Sequence, residues 1–465
     1  MINEDTICAI ATGQGGAIGI IRISGPEAIT ITNKIFCPAD KSSKPLTERK
    51  AYSIAYGHIK NENDEILDDV LVSLFRAPHS YTGEDCTEIS CHGSAYILQQ
   101  IMQVLVNNGC RTAEPGEYTR RAFLNGKMDL SQAEAVADLI ASSSSATHKL
   151  AMNQMRGAFS HELSELRDKL LRLTSLMELE LDFSDHEELE FADRTQLNDI
   201  AQQIENVVSQ LVSSFSLGNA IKRGVPVAII GETNAGKSTL LNTLVGEDRA
   251  IVSDIHGTTR DIIEDVVNID GIMFRFIDTA GIRETSDTIE RLGIDRTFKK
   301  IEQANIVIWV VDPTDQTGKT ELLSNQIFPL CKEKQLIIAF NKTDITGGAS
   351  LPDFNNQPIN TYSISISAKH GTNIDKLKNM LTNAAGIPTI ASGNVIVTNT
   401  RHYEALKRTL TTIRRVRASL TTNLPADLIS QDLRECIHNI AEIVGGEITS
   451  EETLQNIFKN FCIGK

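Results

Sequence analysis

The stretch Val227-Ala228-Ile229-Ile230-Gly231-Glu232-Thr233-Asn234-Ala235-Gly236-Lys237-Ser238 lies at the centre of the chain and determines the fold around it. Its first four residues are apolar and mostly β-branched, which is typical of a buried strand, and the residues from Thr239 onward favour a helix. Between them, G-x-x-x-x-G-K-S has the spacing of a phosphate-binding loop. Glycines let backbone N–H groups turn toward a phosphate, Lys237 supplies a cation and the Ser238 hydroxyl can ligate Mg²⁺. The stretch therefore predicts a nucleoside triphosphate site.

Length and composition predict the number of domains and the class of protein. A chain of 465 residues is too long for one hydrophobic core, so several domains are expected. No run of eighteen apolar residues occurs, the start Met1-Ile2-Asn3-Glu4-Asp5 lacks basic residues, and the eight cysteines include no C-x-x-C pair. We therefore expect a cytoplasmic protein with no stable membrane association.

The charge is unevenly distributed along the chain. A formal net charge of −15 argues against a general nucleic-acid coat protein, although RNA binding needs only a local basic surface. The best candidate for such a surface is the stretch from Arg401 to Arg417, which carries the bases Arg414, Arg415 and Arg417. The alternative for this stretch is an ordinary solvated helix face.

The pattern along the chain predicts an α+β module, an all-α domain and an inserted α/β domain. Strand patterns up to residue 91 and a helix near residues 96–106 indicate an α+β N-terminal module. Helical periodicity follows, pauses near Gly218 and resumes after Pro388, so one helical domain is interrupted by a Ras-like P-loop G domain. The predicted boundaries are 1–120, 121–220, 221–386 and 387–465. An apolar seam of helical period lies in the second segment, at Leu163, Leu166, Leu170, Leu173 and Met177.

Two further motifs select guanine as the base. Asn341-Lys342-Thr343-Asp344 follows a predicted strand, and the Asp344 carboxylate can accept both N1–H and N2–H₂ of guanine. Adenine would leave that carboxylate unpaired, and such sites discriminate by roughly 10⁴–10⁵. Ser367-Ala368-Lys369 follows the next strand, where the Ala368 N–H can donate to guanine O6. GTP is therefore the expected substrate.

The remaining motifs concern hydrolysis. Asp278-Thr279-Ala280-Gly281 fits the loop that senses the γ-phosphate, and Thr259 is placed to complete Mg²⁺ coordination. Ile282 stands where many GTPases carry a water-orienting glutamine, so another group must orient the attacking water. The Asn234 carbonyl oxygen can ligate K⁺ beside the phosphates, a charge that an arginine supplies elsewhere.

Over its whole length the chain resembles the MnmE (TrmE) family of tRNA wobble-uridine modification GTPases. The resemblance is carried by these motifs and Asn234, by the terminal Phe461-Cys462-Ile463-Gly464-Lys465 and by the opening Gly19-Ile20-Ile21-Arg22-Ile23-Ser24-Gly25. The resemblance implies K⁺ bound by Asn234, Ser253, Ile255 and Thr258, and Mg²⁺ bound by Ser238 and Thr259. It implies catalytic roles for Lys237, for Glu290 as the water-orienting residue and for Cys462. For Glu290 the alternative is a helix-start acid, and for Cys462 a buried structural cysteine. The implied GTP-binding residues are Asn234, Ala235, Gly236, Lys237, Ser238, Thr239, Ser253, Asp254, Ile255, His256, Gly257, Thr258, Thr259, Asp278, Thr279, Ala280, Gly281, Asn341, Lys342, Asp344, Ser367, Ala368 and Lys369.

The N-terminal module resembles the family's tetrahydrofolate-binding and dimerisation domain. The matching folate-binding positions are Arg22, Glu88, Lys127 and Lys465, which on sequence alone are also compatible with solvated surface charge. The resemblance implies a homodimer that works with the flavoprotein MnmG as a heterotetramer on tRNA. A 5-formyl- or 5,10-methylene-tetrahydrofolate would donate the carbon for a carboxymethylaminomethyl or aminomethyl group at C5 of the wobble uridine. The alternative is an RNA-binding, GTP-switched ribosome-assembly factor, which needs no folate site.

Overall fold

A computed structural model describes most of the chain. The described residues are 5–13, 15–40, 42–182, 194–247, 265–277, 300–314, 319–346, 354, 357–386, 395–422, 424–446, 454, 457–459, 461 and 464. The chain divides into two compact units, one of Met1–Ala137, Gln154–Asp168 and Arg434–Lys465 and the other of Asp138–Asn153 and Lys169–Leu433. Among the described helices, none combines the length and the apolar composition that crossing a membrane requires.

The first unit is built on a seven-stranded sheet in the order β3-β4-β5-β6-β2-β1-β7. All neighbouring strands are antiparallel except β1 and β7, which are parallel. The strands are β1 Ile7–Ile10, β2 Ile18–Ser24, β3 Phe36–Pro38, β4 Ser53–Lys60, β5 Ile66–Phe75, β6 Cys86–His92 and β7 Arg111–Thr112. The α+β character predicted for this module is confirmed.

The two faces of this sheet differ. Helices α1 (Ala28–Ile35) and α2 (Ala95–Asn107) cover one face and bury a core that includes Ile21, Val72 and Ile89. On the opposite face, α3 (Glu117–Leu124) lies over the β1 end through Tyr118, which packs with Ile7 and Ala9. The β4–β5 end of that face is exposed. It presents the exposed apolar side chains Ile54 and Tyr56 of β4.

The predicted helical segments on either side of the P-loop region are long helices. Before it lie α4 (Leu130–Ile140), α5 (Ser145–Met155), α6 (Ala158–Asp182) and α7 (Arg194–Arg223). The apolar seam of α6 is buried at every predicted position, from Leu163 to Met177. The pause predicted near Gly218 is wrong, because α7 continues through it to Arg223. A Cβ at Gly218 would lie 2.1 Å from the Val397 carbonyl oxygen, so this glycine permits close approach of another segment rather than ending the helix.

The second unit contains a six-stranded sheet in the order β13-β12-β11-β8-β10-β9. Its strands are β8 Val225–Gly231, β9 Asp265–Ile269, β10 Ile272–Phe276, β11 Ile306–Val311, β12 Gln335–Phe340 and β13 Thr361–Ser365. Only the β9–β10 pair is antiparallel, and buried apolar clusters lie on both faces. Helices α8 (Lys237–Glu247), α9 (Lys319–Leu330), α10 (Thr343–Thr346) and α11 (Ile374–Ala384) alternate with the strands. This is the predicted α/β fold, in which ligands bind at the carboxyl ends of parallel strands.

The described residues that follow form the helices α12 (Thr400–Thr421) and α13 (Ala426–Val444), which are separated near Pro425. The combination of α+β, all-α and P-loop α/β parts is confirmed, whereas the domain boundaries at residues 120, 220 and 386 remain predictions.

Candidate functional site

The phosphate-binding loop joins β8 to α8 at the carboxyl end of the sheet. Its backbone takes positive φ at Gly231 (145°), Asn234 (66°) and Gly236 (98°), the region that glycine, and to a lesser degree asparagine, tolerates. Close packing adds to this requirement, since a Cβ at Gly231 would lie 2.3 Å from the Val310 carbonyl oxygen. The loop is thereby curled before the first turn of α8, where unpaired N–H groups favour an anion.

Lys237, at the start of α8, reaches back over this loop. Its Nζ donates to the carbonyl oxygens of Gly231 at 2.9 Å and Glu232 at 2.6 Å. Burial lowers the pKa of Lys237, and the nearby Lys300 adds to the lowering. Both effects disfavour the ammonium, so an anion placed in the loop would restore a favourable environment for the charge.

Asn341 connects the loop to the base-recognition segments. Its Nδ2 donates to the Ala235 carbonyl oxygen at 2.8 Å, and its Oδ1 accepts from the Ala368 N–H at 2.9 Å. The side chain is buried, so these two bonds tie three loops together at the edge of the sheet. The Ala368 N–H, predicted to donate to guanine O6, is therefore already used by Asn341, and a guanine oxygen would have to share or exchange it.

Asp344 is held in place by the segment after β13. Its Oδ1 accepts from Ser367 Oγ at 2.6 Å, and this bond is the largest influence that lowers the pKa of Asp344. His370 Nε2 lies 3.7 Å from the other oxygen, Oδ2. Lys342 pairs with Asp312, the first residue after β11. The carboxylate is thus oriented by its neighbours, as a bidentate acceptor for guanine requires.

A second group of predicted residues meets on the first unit's sheet. Arg22 and Glu88 are directly opposite each other on β2 and β6. Arg22 Nε and Nη2 lie 2.9 and 2.8 Å from Glu88 Oε1, and Nη1 donates to the Gly464 carbonyl oxygen at 3.3 Å. Both side chains are largely buried, at 20% and 24% exposure, so they are not solvated surface charges. Among the described residues, two of the five guanidinium N–H groups have no acceptor and remain for a ligand.

Two tyrosines that the sequence interpretation missed enclose this ion pair. The Arg22 guanidinium carbon lies 5.6 Å from the ring centre of Tyr81 and 5.7 Å from that of Tyr118. The Tyr118 hydroxyl donates to the Arg22 carbonyl oxygen at 2.7 Å, and burial raises the pKa of both tyrosines. The only sequence signal for Tyr81 was its place in the polar loop between β5 and β6.

Lys127 and the end of the chain approach the same region. Lys127 Nζ donates to the Pro78 carbonyl oxygen at 3.0 Å, and a Cβ at Gly83 would lie 3.3 Å from Lys127 Cγ. Lys127 therefore packs on the loop that carries Tyr81. Gly464 lies against the end of β1, where a Cβ would be 2.6 Å from the Ile10 carbonyl oxygen, so only glycine fits. Lys465 itself lies outside the described residues.

Two family models match the chain: "GTP-binding protein TrmE N-terminus" over residues 6–127 and "MnmE helical domain" over residues 130–462. The tRNA modification GTPase MnmE of Bacteroides thetaiotaomicron is 63% identical to this chain, and the alignment covers 100% of each. The proteins of the same name from Bacteroides fragilis and Flavobacterium johnsoniae are 62% and 50% identical, again over 100% of each chain. The chain belongs to the MnmE family of tRNA modification GTPases.

Membership in the MnmE family confirms the resemblance, and the chain is a GTP hydrolase. The phosphate loop, Asn341 and Asp344 supply the geometry that this activity needs. The individual roles of all the predicted site residues stay predictions, and several of these residues also lie outside the described part of the structure. They are Ser253, Asp254, Ile255, His256, Gly257, Thr258, Thr259, Asp278, Thr279, Ala280, Gly281, Glu290, Cys462 and Lys465.

The basic stretch on α12 is engaged within the protein. Arg414 and Arg417 both pair with Glu205 on α7, and Arg415 pairs with Asp432 on α13. These contacts favour the solvated-helix interpretation of Arg401 to Arg417 over tRNA contact, because a phosphate would have to compete with carboxylates already in place.

A buried charge network holds α3 on the first sheet. The Glu117 carboxylate is inaccessible to solvent and accepts from Arg111 Nη2 at 2.6 Å, from Arg121 Nη2 at 3.0 Å and from the Glu114 N–H at 2.8 Å. Burial alone would raise the pKa of Glu117, but these bonds outweigh it and lower the pKa below 4.5. The network positions Tyr118, which adjoins Glu117 in the chain.

We expect Glu117→Gln to destabilise α3 by about 3–5 kcal/mol, since it leaves buried guanidinium groups without their counter-charge. The pKa of Glu117 is lowered in the folded state. Its contribution to folding stability is therefore fully present above the ordinary glutamate pKa and is lost as the pH falls through the lowered pKa. Hydrogen exchange of the peptide 111–124 in the full chain would measure both effects. The control is Glu114→Gln, whose side chain is 60% exposed. Equal protection in the two variants would contradict the proposed role.

Proposed function

We propose that this MnmE-family protein is a K⁺-stimulated GTPase that works with the flavoprotein MnmG on tRNA. It adds a carboxymethylaminomethyl or aminomethyl group at C5 of the wobble uridine, position 34, with a tetrahydrofolate derivative as one-carbon donor. One observation carries the proposal. A single chain of this family contains both a candidate guanine-nucleotide site, with Asn341 and Asp344 held by hydrogen bonds, and the enclosed Arg22–Glu88 pair on a separate sheet. GTP hydrolysis then serves as a conformational step and not as the modification chemistry.

Lys237 and the curled loop are the residues that would hold the phosphates of GTP. Ser238, with Thr259, would hold Mg²⁺, which supplies positive charge at the β- and γ-oxygens. The Ser238 hydroxyl belongs to the first turn of α8, and a hard oxygen donor there suits Mg²⁺. Glu290 is the proposed water-orienting residue, because Ile282 offers no polar group.

The proposed K⁺ site consists of Asn234, Ser253, Ile255 and Thr258. Of these four, Asn234 is the one that lies among the described residues. Its positive φ shows that local backbone geometry is a second reason for asparagine at this position. A variant that keeps the backbone conformation but removes the carbonyl oxygen therefore separates the two roles. Glycine meets both conditions.

We expect GTP turnover by the wild-type protein to be about tenfold or more faster in K⁺ than in Na⁺ at equal ionic strength. Asn234→Gly should lose this difference while binding GDP with nearly unchanged affinity. Asn234→Asp, which keeps an oxygen at the same position, should retain part of the stimulation. Equal wild-type rates in the two salts would refute K⁺ stimulation, and a K⁺ response surviving in Asn234→Gly would remove Asn234 from the site.

Arg22, Glu88, Lys127 and Lys465 are the residues that would hold the tetrahydrofolate derivative, which when bound supplies a transferable one-carbon group. The fit is chemically reasonable. Glu88 Oε2, to which no described residue donates, suits the N–H groups of a pterin, and the remaining N–H groups of Arg22, which lies against Glu88, suit an oxygen acceptor of the same ring system. Tyr81 and Tyr118 provide flat apolar surface beside the cation. Cys462 is the proposed thiol near this site.

The open end of the first sheet supports a homodimer. Ile54 and Tyr56 on β4 and Leu71 on β5 are 64%, 54% and 46% exposed, and Tyr56 lies directly opposite Leu71. A contiguous apolar patch of this kind marks an interaction surface. A second copy of the chain is the occupant that we propose, because the same self-complementary face can close on itself by two-fold symmetry.

A further inference from the structure

A cleft of about 460 Å³ lies within the first unit, beside the 125–129 turn. It is formed by that turn, one face of α6 and the end of α13. The residues that determine its chemistry are Phe123, Met128, Asp129, Ser164, Arg167 and Ile440. Its volume is within the range of sites for small molecules or single nucleotides.

The walls of the cleft are apolar and include an aromatic ring. Phe123 is half-buried and packs against Gly445, where a Cβ would lie 2.7 Å from Phe123 Cζ. Gly445 also has a φ of 85°, so two independent constraints keep a side chain out of this position. Met128 and Leu163 extend the apolar surface. A flat ring could therefore pack against these walls without displacing core side chains.

The rim of the cleft carries one cation. Arg167 is exposed and, among the described residues, no carboxylate lies within salt-bridge distance of its guanidinium. Ser160, Ser164 and Arg167 share one face of α6 at helical spacing. Glu165, two residues away, points about 160° around the helix from Arg167. This arginine thus differs from Arg111, Arg121, Arg414, Arg415 and Arg417, all of which are ion-paired.

Among the described residues that line the cleft, Asp129 is the one acid, and one of its two carboxylate oxygens already accepts hydrogen bonds. Asp129 Oδ1 accepts from Ser131 Oγ at 2.8 Å and from the Gln132 N–H at 2.9 Å, which caps the start of α4. No described residue donates to Oδ2, so this oxygen is free to accept from a base N–H. The cleft therefore combines a surface for a ring, an acceptor for an N–H group and a cation for an anion.

We propose that this cleft binds a single unstacked nucleotide of the tRNA, with the base against Phe123 and a phosphate at Arg167. The inference rests on the proposed function, since a protein that modifies a base in folded RNA must first take that base out of its stack. One turn connects the cleft with the candidate folate site. Gly126 of this turn lines the cleft, and the next residue, Lys127, contacts the loop that carries Tyr81.

The test uses the full-length protein and an anticodon stem-loop RNA with 4-thiouridine at the wobble position. Two variants change the cleft: Arg167→Glu reverses its cation, and Ser164→Trp fills it from an exposed position. Matched controls on the same helix are Arg172→Glu and Glu165→Trp, both outside the cleft. RNA affinity at one fixed salt concentration, 5-formyltetrahydrofolate affinity and GTP turnover are measured for all.

We expect both cleft variants to weaken RNA binding by about tenfold, consistent with loss of one base-stacking or phosphate contact, while the controls change it by twofold or less. Folate affinity and GTP turnover should stay at wild-type values, which also shows that the variants fold. Near-ultraviolet cross-links of the wild-type protein should fall in peptides 123–129, 160–167 or 440–446.

Three results would overturn the inference. The first is wild-type RNA affinity in both cleft variants. The second is equal weakening by Arg172→Glu, which would indicate diffuse attraction to the helix. The third is loss of folate binding in Arg167→Glu, which would make the cleft part of the folate site. Failure of the wild-type protein to bind the RNA at all would instead refute the proposed function.

Discussion

Replacing Asp344 with asparagine is expected to reduce affinity for guanine nucleotides by roughly 10³–10⁵-fold. We propose that this carboxylate accepts both N1–H and N2–H₂ of guanine, and Ser367 Oγ, which donates to it at 2.6 Å, holds it in orientation. An amide presents one acceptor and one donor, and the donor would face the guanine amino group. Xanthine carries an oxygen at that position, so Asp344→Asn should gain affinity for xanthine nucleotides.

The measurement is a titration of the full-length protein with fluorescent GDP and XDP analogues. Binding of XDP by the variant shows that the site remains folded. Ser367→Ala is the matched control, because it removes the orienting hydrogen bond but keeps the carboxylate, and we expect it to weaken GDP binding by about tenfold. Unchanged GDP affinity in Asp344→Asn would mean that the base is recognised elsewhere.

Replacing Arg22 with glutamine is expected to reduce affinity for 5-formyltetrahydrofolate by about 100-fold, since a cation that contacts the ligand and orients Glu88 is lost in an enclosed site. GTP turnover should be unaffected, because the phosphate loop and Asp344 belong to a different compact unit. Binding of the folate to the full-length protein can be followed by calorimetry.

Arg76→Gln is the matched control for Arg22→Gln. Arg76 is also an arginine of the first unit, and it donates to the Thr47 and Arg49 carbonyl oxygens. Equal folate affinity in Arg22→Gln and the wild-type protein would show that the Arg22–Glu88 pair only joins two strands. A similar loss in both variants would indicate a general effect on the sheet.

Local sequence signals predicted the nucleotide-binding part of the fold. Apolar β-branched runs such as Ile306–Val311 form strands that are buried on both faces. The glycines of the phosphate-binding motif lie in a turn, where they have positive φ. The order of these signals along the chain is sufficient to place the phosphate loop, Asn341 and Asp344 at one edge of the sheet. Their mutual hydrogen bonds were not predictable, because partners such as Asn341 and Ala368 are distant in sequence.

Other features depend on tertiary contacts that a linear pattern does not contain. Gly218 has the appearance of a helix break in sequence, yet it lies inside α7 because the segment at Val397 packs closely against it. The bases on α12 suggest an RNA surface until Glu205 and Asp432 are found beside them. Tyr81 and Tyr118 gain significance only from their position around Arg22.

The most direct test of the proposed function is mass spectrometry of tRNA nucleosides from cells that lack this protein, with and without the restored gene. We predict that the C5-modified wobble uridine disappears in its absence and returns on restoration. Restoration with Arg22→Gln should not return it, whereas Arg76→Gln should. An unchanged nucleoside profile in cells without the protein would contradict the role in wobble-uridine modification and leave only the GTPase activity.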